Sequence, residues 1–195
     1  MKKVRENSQK GFSLIELIIV IAIMAVLVAV LAPQFLKYVE RARNATDIAN
    51  ATEIVEALQV YATDPDADLP GNTGELGAVS IEVGHDGNSR INCSSFEGHE
   101  KIIRFVVEAL DSASIPYIKS GEDYYVRSKC VSRQSWSAYT ISFYTRDGNI
   151  IFKYSAGIDA DDLRYGTSEH DNVVKKATAK FKAMMTGSLS KEESD

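Results

Sequence analysis

Lys10-Gly11-Phe12-Ser13-Leu14-Ile15-Glu16-Leu17 runs without a break into the apolar residues that end at Ala32, and Pro33 follows. From Phe12 to Ala32 the only polar side chains are Ser13 and Glu16. As an α-helix this stretch is about 30 Å long, the thickness of a bilayer's hydrocarbon core. The residues before it carry Lys2, Lys3, Arg5 and Lys10 against Glu6, so the positive-inside tendency keeps the N-terminus in the cytoplasm and exports the remainder. A secretory signal peptide shares the basic start and the apolar run. Three features argue against one: the run is long enough to span, no small-x-small site with a polar exit follows it, and an acid lies near its beginning.

Each landmark in this stretch has a chemical reading. A small residue at Gly11 lets extended backbone enter a protease cleft, where a side chain would collide and restrict the dihedrals. Glu16 places a carboxylate where hydrocarbon should exclude it, at a cost of roughly 2.5 to 3.5 kcal/mol, and such residues mark function. Pro33 has no N–H to donate to the carbonyl of Ala29, and its ring crowds that turn, so a kink or a loosened helix is expected there.

Lys10-Gly11-Phe12-Ser13-Leu14-Ile15-Glu16-Leu17 resembles the processing motif of type IV prepilins and their relatives. The resemblance covers residues 10–45. It implies that a membrane aspartyl peptidase, the prepilin peptidase, cuts after Gly11 and that the new N-terminal residue, Phe12, is methylated. It further implies that Glu16, five residues into the mature chain, and Phe12 act in assembly, and it favours a stretch at Pro33 that unwinds on assembly. Implied partners are other pilin subunits, an assembly platform protein and motor ATPases, with the membrane as host before assembly.

The rest of the chain is ordinary in composition. With 45% hydrophobic and 25% charged among 195 residues, it can bury one core beside the apolar segment. The net charge of -5 and the lack of a long basic block argue against a nucleic-acid groove. After Pro33, apolar or small residues recur at Phe35, Val39, Ala42, Ala45, Ile48, Thr52, Val55, Leu58 and Ala62, predicting a helix to about Thr63. Its opposite face, with Lys37, Glu40, Arg41, Arg43, Asp47, Glu53 and Glu56, reads as solvated surface. Asp, Pro, Gly and Asn from Asp64 to Gly77 end that helix.

Helical spacing continues over Phe96–Leu110, and strands are expected at Val79–Val83, Ile115–Lys119, Tyr124–Lys129, Tyr139–Tyr144 and Ile150–Tyr154. The last two flank Arg146-Asp147-Gly148-Asn149, a hairpin turn. A final helix, preceded by Ser168 and Asp171 as a capping pair, reaches Met185. The fold class is therefore α+β and pilin-like: a long N-terminal helix, half transmembrane and half amphipathic, packed on an antiparallel sheet with short extra helices. The expected segments are a cytoplasmic leader at 1–11, a transmembrane and filament-core helix at 12–33, an amphipathic helix at 34–63, a globular head at 64–187 and a flexible tail at 188–195.

Other candidates carry less chemistry. Asp64, Asp66, Asp68 and Glu75 fit positions of a calcium loop, but Leu69 stands where glycine is needed, and no metal site is expected. Asp159, Asp161 and Asp162 form a second, weaker set. Cys93 and Cys130, exported, are a candidate disulfide; buried reduced thiols are the other option. Lys175, Lys176, Lys180 and Lys182 read as a solvated face, and the aromatics from Trp136 to Tyr154 as sheet core. The sequons at Asn44, Asn50 and Asn92 are short enough to arise by chance, and no modification is expected. His85, His99 and His170 are scattered, and no phosphate loop or GxSxG elbow is present, so neither catalysis nor a cofactor is expected.

The leading reading is the subunit of a surface filament serving attachment, twitching motility or uptake, first a single-pass protein of the cytoplasmic membrane and then part of an extracellular pilus. The alternative is a pseudopilin of a type II secretion or competence DNA-uptake machine. A third reading is a tethered binding domain that never polymerises, which Glu16 disfavours.

Overall fold

The computed structural model describes residues 11–69, 71–73, 79–85, 87, 89–93, 99–157 and 171–187. Two compact units divide between Val39 and Glu40. Helix α1 (Leu14–Tyr61) contributes to both and runs through Pro33 as one element. Within the first unit the helix is apolar all round from Leu17 to Ala32 and exposed from Leu14 to Tyr38. Among the described residues it is the one helix long and apolar enough to cross a membrane.

The second unit is built on a six-stranded antiparallel sheet of order β3-β4-β2-β1-β5-β6. The strands are β1 (Val79–Val83), β2 (Ser89–Cys93), β3 (Tyr117–Ser120), β4 (Asp123–Val126), β5 (Ala138–Arg146) and β6 (Asn149–Gly157). Helices α2 (His99–Ser112) and α3 (Asp171–Met185) complete it. This is the expected α+β, pilin-like architecture. The β5–β6 turn is made by Asp147 and Gly148, with φ of 52° and 75°. Two successive left-handed residues give the hairpin turn whose twist matches that of the strands, and glycine takes the second position without steric penalty.

Period-two alternation sets the core face. Val79, Ile81 and Val83 of β1 are buried and pair directly with Phe143, Ile141 and Tyr139 of β5. Phe152, Tyr154 and Ala156 of β6 lie opposite the same β5 residues. The helices supply Ile54 and Leu58 from α1, Ile102, Phe105 and Val106 from α2, and Ala177 and Phe181 from α3 to one hydrophobic cluster. Phe105 bridges Tyr61 and Phe143 at centroid distances of 5.3 and 6.5 Å. Phe181 stacks on Tyr139 at 4.9 Å and meets Trp136 edge-on at 5.2 Å. These offset and edge-to-face arrangements are those that ring quadrupoles favour.

Two expectations need correction. Strand β2, interior to the sheet, was not anticipated, because Ser-Arg-Ile-Asn-Cys has one strongly apolar residue and its Arg90 points outward to Asp123 at 2.8 Å. The face of α1 also differs from the one expected. Its buried residues are Glu40, Asn44, Asp47, Ala51, Ile54, Val55, Ala57 and Leu58, while Ala42 and Ala45 are exposed. The buried stripe is polar for two turns before it becomes apolar, and apolar periodicity alone cannot find such a stripe.

Candidate processing and assembly site

Gly11, Phe12 and Ser13 precede α1, and Phe12 is 94% exposed. A Cβ added at Gly11 would meet nothing within 4 Å. The chain itself therefore does not require glycine there, so any such requirement comes from a partner that grips this backbone. Ser13 and Glu16 stand in capping-box spacing. The Ser13 N–H donates to Glu16 Oε2 at 2.9 Å, and the Leu17 N–H donates to the Ser13 carbonyl at 3.2 Å. Glu16 thus satisfies one of the orphan donors at the start of α1 and sits at the positive end of its dipole. This local role for Glu16 escaped the sequence reading, although Ser-x-x-Glu before an apolar run is its signature.

In the second unit, a different pair of carboxylates organises the segment before β5. Glu40 Oε1 accepts from Ser132 Oγ at 2.7 Å and from the backbone N–H groups of Arg133, Gln134 and Ser135 at 2.9, 2.7 and 3.2 Å. Seven residues along α1, Asp47 accepts from Val131 N at 2.7 Å, Ser132 N at 2.9 Å, Trp136 Nε1 at 2.9 Å and Cys130 Sγ at 3.4 Å. Five consecutive backbone N–H groups, 131–135, thereby end on two side chains. This lets an irregular segment lie buried against α1, since unpaired N–H groups there would be costly. Burial alone would raise the Glu40 carboxyl, but the four hydrogen bonds, that from Gln134 foremost, hold it down to about 2. The reading of Glu40 and Asp47 as solvated is therefore wrong: donors from the loop compensate their desolvation.

Asn44, one turn from Glu40, donates to Ser135 Oγ at 2.8 Å, and the same oxygen takes Lys180 Nζ of α3 at 3.0 Å. Asn44 is buried, so its sequon is not available at the surface. Cys93 and Cys130 are not joined by a disulfide. Cys93 pairs with Val79 at one end of β1, whereas the Cys130 N–H donates at 3.0 Å to the carbonyl of Gly84 beyond the other end. Five residues of strand separate those ends by about 17 Å, far beyond the 7 Å between Cα atoms that a disulfide tolerates. Burial pushes the Cys93 thiol up to about 11, and burial, with the negative Asp47 beside it, pushes that of Cys130 further up.

The remaining candidates are dispersed. Asp68 pairs with Arg104 at 3.0 Å and Lys101 at 3.5 Å, Asp64 accepts from the Asp66 N–H at 2.9 Å, and Glu75 lies outside the described residues. Asp159, Asp161, Asp162, Ser168, His170 and the 188–195 segment also lie outside them. His85 Nδ1 is 2.8 Å from the Cys130 carbonyl. No group of three His, Cys, Asp or Glu able to hold a metal occurs among the described residues. Lys175, Lys176 and Lys182 are exposed, and Trp136, Tyr139 and Phe143 are core.

Residues 7–32 match the family model of the prokaryotic N-terminal methylation motif. The chain is similar to Fimbrial protein Q of Moraxella bovis, 37% identical over 81 residues, which cover 41% of this chain and 47% of that protein. It is also similar to the type IV wide pilus major component PilA4 of Thermus thermophilus, 46% identical over 58 residues, covering 30% of this chain and 44% of the relative. The chain thus spans about half the length of the curated relatives it matches. No solved structure matches it.

Proposed function

Starting from a chain with a type IV prepilin N-terminus on a pilin-like fold, we propose that it is the structural subunit of a type IV pilus. In this reading prepilin peptidase cuts between Gly11 and Phe12, the Phe12 amine is methylated, and motor ATPases with a platform protein move the subunit from the cytoplasmic membrane into an extracellular filament. The observation that carries it is the first unit's surface. Its large apolar side chains from Leu14 to Leu31 are exposed, from 49% at Val20 to 76% at Leu14. So large an apolar surface must be covered, first by lipid and then by the same helices of neighbouring copies. Of the two curated relatives, one is named a fimbrial protein and the other a type IV wide pilus major component, which supports a pilus over a secretion pseudopilus.

Glu16 has a specific part in this. Cleavage creates a cationic amine at Phe12, one turn before the carboxylate, and an incoming amine paired with Glu16 of a neighbour sets the axial register. A misregistered copy leaves a buried charge unpaired at about 3 to 5 kcal/mol, enough to disfavour docking. Peptide mass spectrometry of sheared surface filaments tests the proposal: the first residue should be Phe12 carrying one added methyl group. Filaments without this chain, or a chain that starts at Met1 or beyond Ala32, would overturn it.

A further inference from the structure

The sheet of the second unit ends at β6 on one side and at β3 on the other, and local bonds show which groups each edge offers. Thr178 Oγ1 of α3 accepts from the Ala156 N–H and donates to the Ala156 carbonyl, both at 3.0 Å. Ala156 therefore turns both groups away from β5, and antiparallel alternation turns those of Tyr154, Phe152 and Ile150 the same way. At the other edge, the Arg127 N–H donates to the Pro116 carbonyl at 2.8 Å. Ile118 and Ser120 then bond inward to β4, and Tyr117 and Lys119 turn their backbone groups outward. Among the described residues, these outward groups of Ile150, Phe152, Tyr154, Tyr117 and Lys119 have no hydrogen-bond partner.

The helices beside the two edges differ in charge. Lys175 and Lys182 stand three residues before and four after Thr178, so they lie with it on the β6 side of α3, and both are exposed. Beside β3, a groove of about 520 Å³ is lined by Ile103, Val107 and Tyr124, with the exposed Glu100 and Glu122 at its rim. Its cations are engaged, Arg104 with Asp68 at 3.0 Å and Lys119 over the Tyr124 ring at 5.1 Å. Both helices pack on one face of the sheet, Phe105 of α2 against Phe143 and Phe181 of α3 against Tyr139.

We propose that the β6 edge of one copy docks on the β3 edge of a second copy, so that the sheet continues from subunit to subunit and Lys182 meets the acidic groove of its neighbour. The inference rests on the reading of the chain as a filament subunit. An edge that meets a different edge makes a heterologous contact, which repeats without closing, as a filament requires. Two β6 edges about a two-fold axis would instead close a dimer and set the lysines of two α3 helices side by side. The outer face of the sheet agrees: Ile118 of β3 is 43% exposed there, and Ile151 of β6 shares that face, alternating with Ile150 and Phe152. With two outward residues on β3 the contact is short. It acts on copies already gathered by their stems, where the effective concentration of one edge at the other is high.

The test treats sheared filaments with a short bismaleimide and separates the products on a denaturing gel. Filaments of Ile118→Cys/Ile151→Cys should give a ladder of multimers. Each single variant should stay monomeric, as should the parent, whose Cys93 and Cys130 make it the control. Intact filaments of the double variant without a ladder would overturn the proposal, and a dimer from Ile151→Cys alone would show β6 pairing with β6 instead. Charge reversal is the second readout. Lys182→Glu should lower filament yield about twofold to fivefold, the range of an exposed ion pair, and adding Glu122→Lys should restore it. A doubly reversed chain that assembles no better than Lys182→Glu alone would also count against the contact. A parent that forms no filaments would overturn the pilus reading itself, an outcome distinct from filaments that form without the crosslink.

Discussion

Replacing Glu40 with Gln removes a charge and leaves the size and one acceptor oxygen in place. In the parent the carboxyl is held down to about 2 from 4.5, and its side chain is only 7% exposed, so solvent screening discounts little of the effect. The folded-state value lies below the unfolded one. The contribution is therefore complete above pH 4.5 and is lost as the pH falls toward 2. Its size is about 3 kcal/mol, which for a unit of this length corresponds to a melting shift of about 6 to 12 °C. Trp136 is the chain's single tryptophan and donates to Asp47 within the same segment, so its fluorescence reports the melting of this region directly. Glu40→Gln should melt lower at pH 7. Its stability should also fall less steeply than the parent's between pH 4.5 and 2, since other carboxylates titrate equally in both. A variant that melts with the parent at pH 7 and shares its acid profile would refute the claim that the ionised carboxylate holds the loop.

Glu16→Leu should insert in the membrane and be cut after Gly11, yet filament yield should collapse; filaments as abundant as the parent's, counted by electron microscopy, would count against the assembly role. Trp136→Phe keeps most of the packing on Phe181 and loses the bond to Asp47, so denaturant titration followed by circular dichroism should show a loss of about 1.5 to 3 kcal/mol. Thiol labelling of denatured, unreduced chain should modify both Cys93 and Cys130, and no labelling would contradict their placement at opposite ends of β1. In the native protein at neutral pH, Cys130 should react far more slowly than Cys93, because it is fully buried and its thiolate is disfavoured more strongly.

What could be read beforehand divides along physical lines. The stem, the motif within residues 7–32 and the β5–β6 hairpin were legible because each follows from a local rule: an unbroken apolar run, a pattern confined to a few residues, and a turn that needs two left-handed residues. The β1 strand was equally plain, since Val-Ser-Ile-Glu-Val alternates cleanly. The parts missed depend on partners distant in sequence. Glu40 and Asp47 look like any acids on a helix until residues 131–135 bring their backbone N–H groups, some ninety residues away. Nothing in the composition of Cys-Val-Ser-Arg-Gln-Ser-Trp announces that its amides will be turned toward a helix. One weak signal existed. Glu40, Asn44 and Asp47 share one face at helical spacing, in line with the buried Ala51, Ile54 and Leu58. Continuing that apolar stripe toward the N-terminus would have required the three polar residues to be buried, and buried carboxylates require donors. In the proposed reading α1 runs from lipid into a folded unit and so meets both environments along its length. Where lipid no longer covers it and the hydrophobic core has not yet begun, a polar stripe carrying its own acceptors can fasten a loop without adding apolar surface that would have to be hidden in both settings.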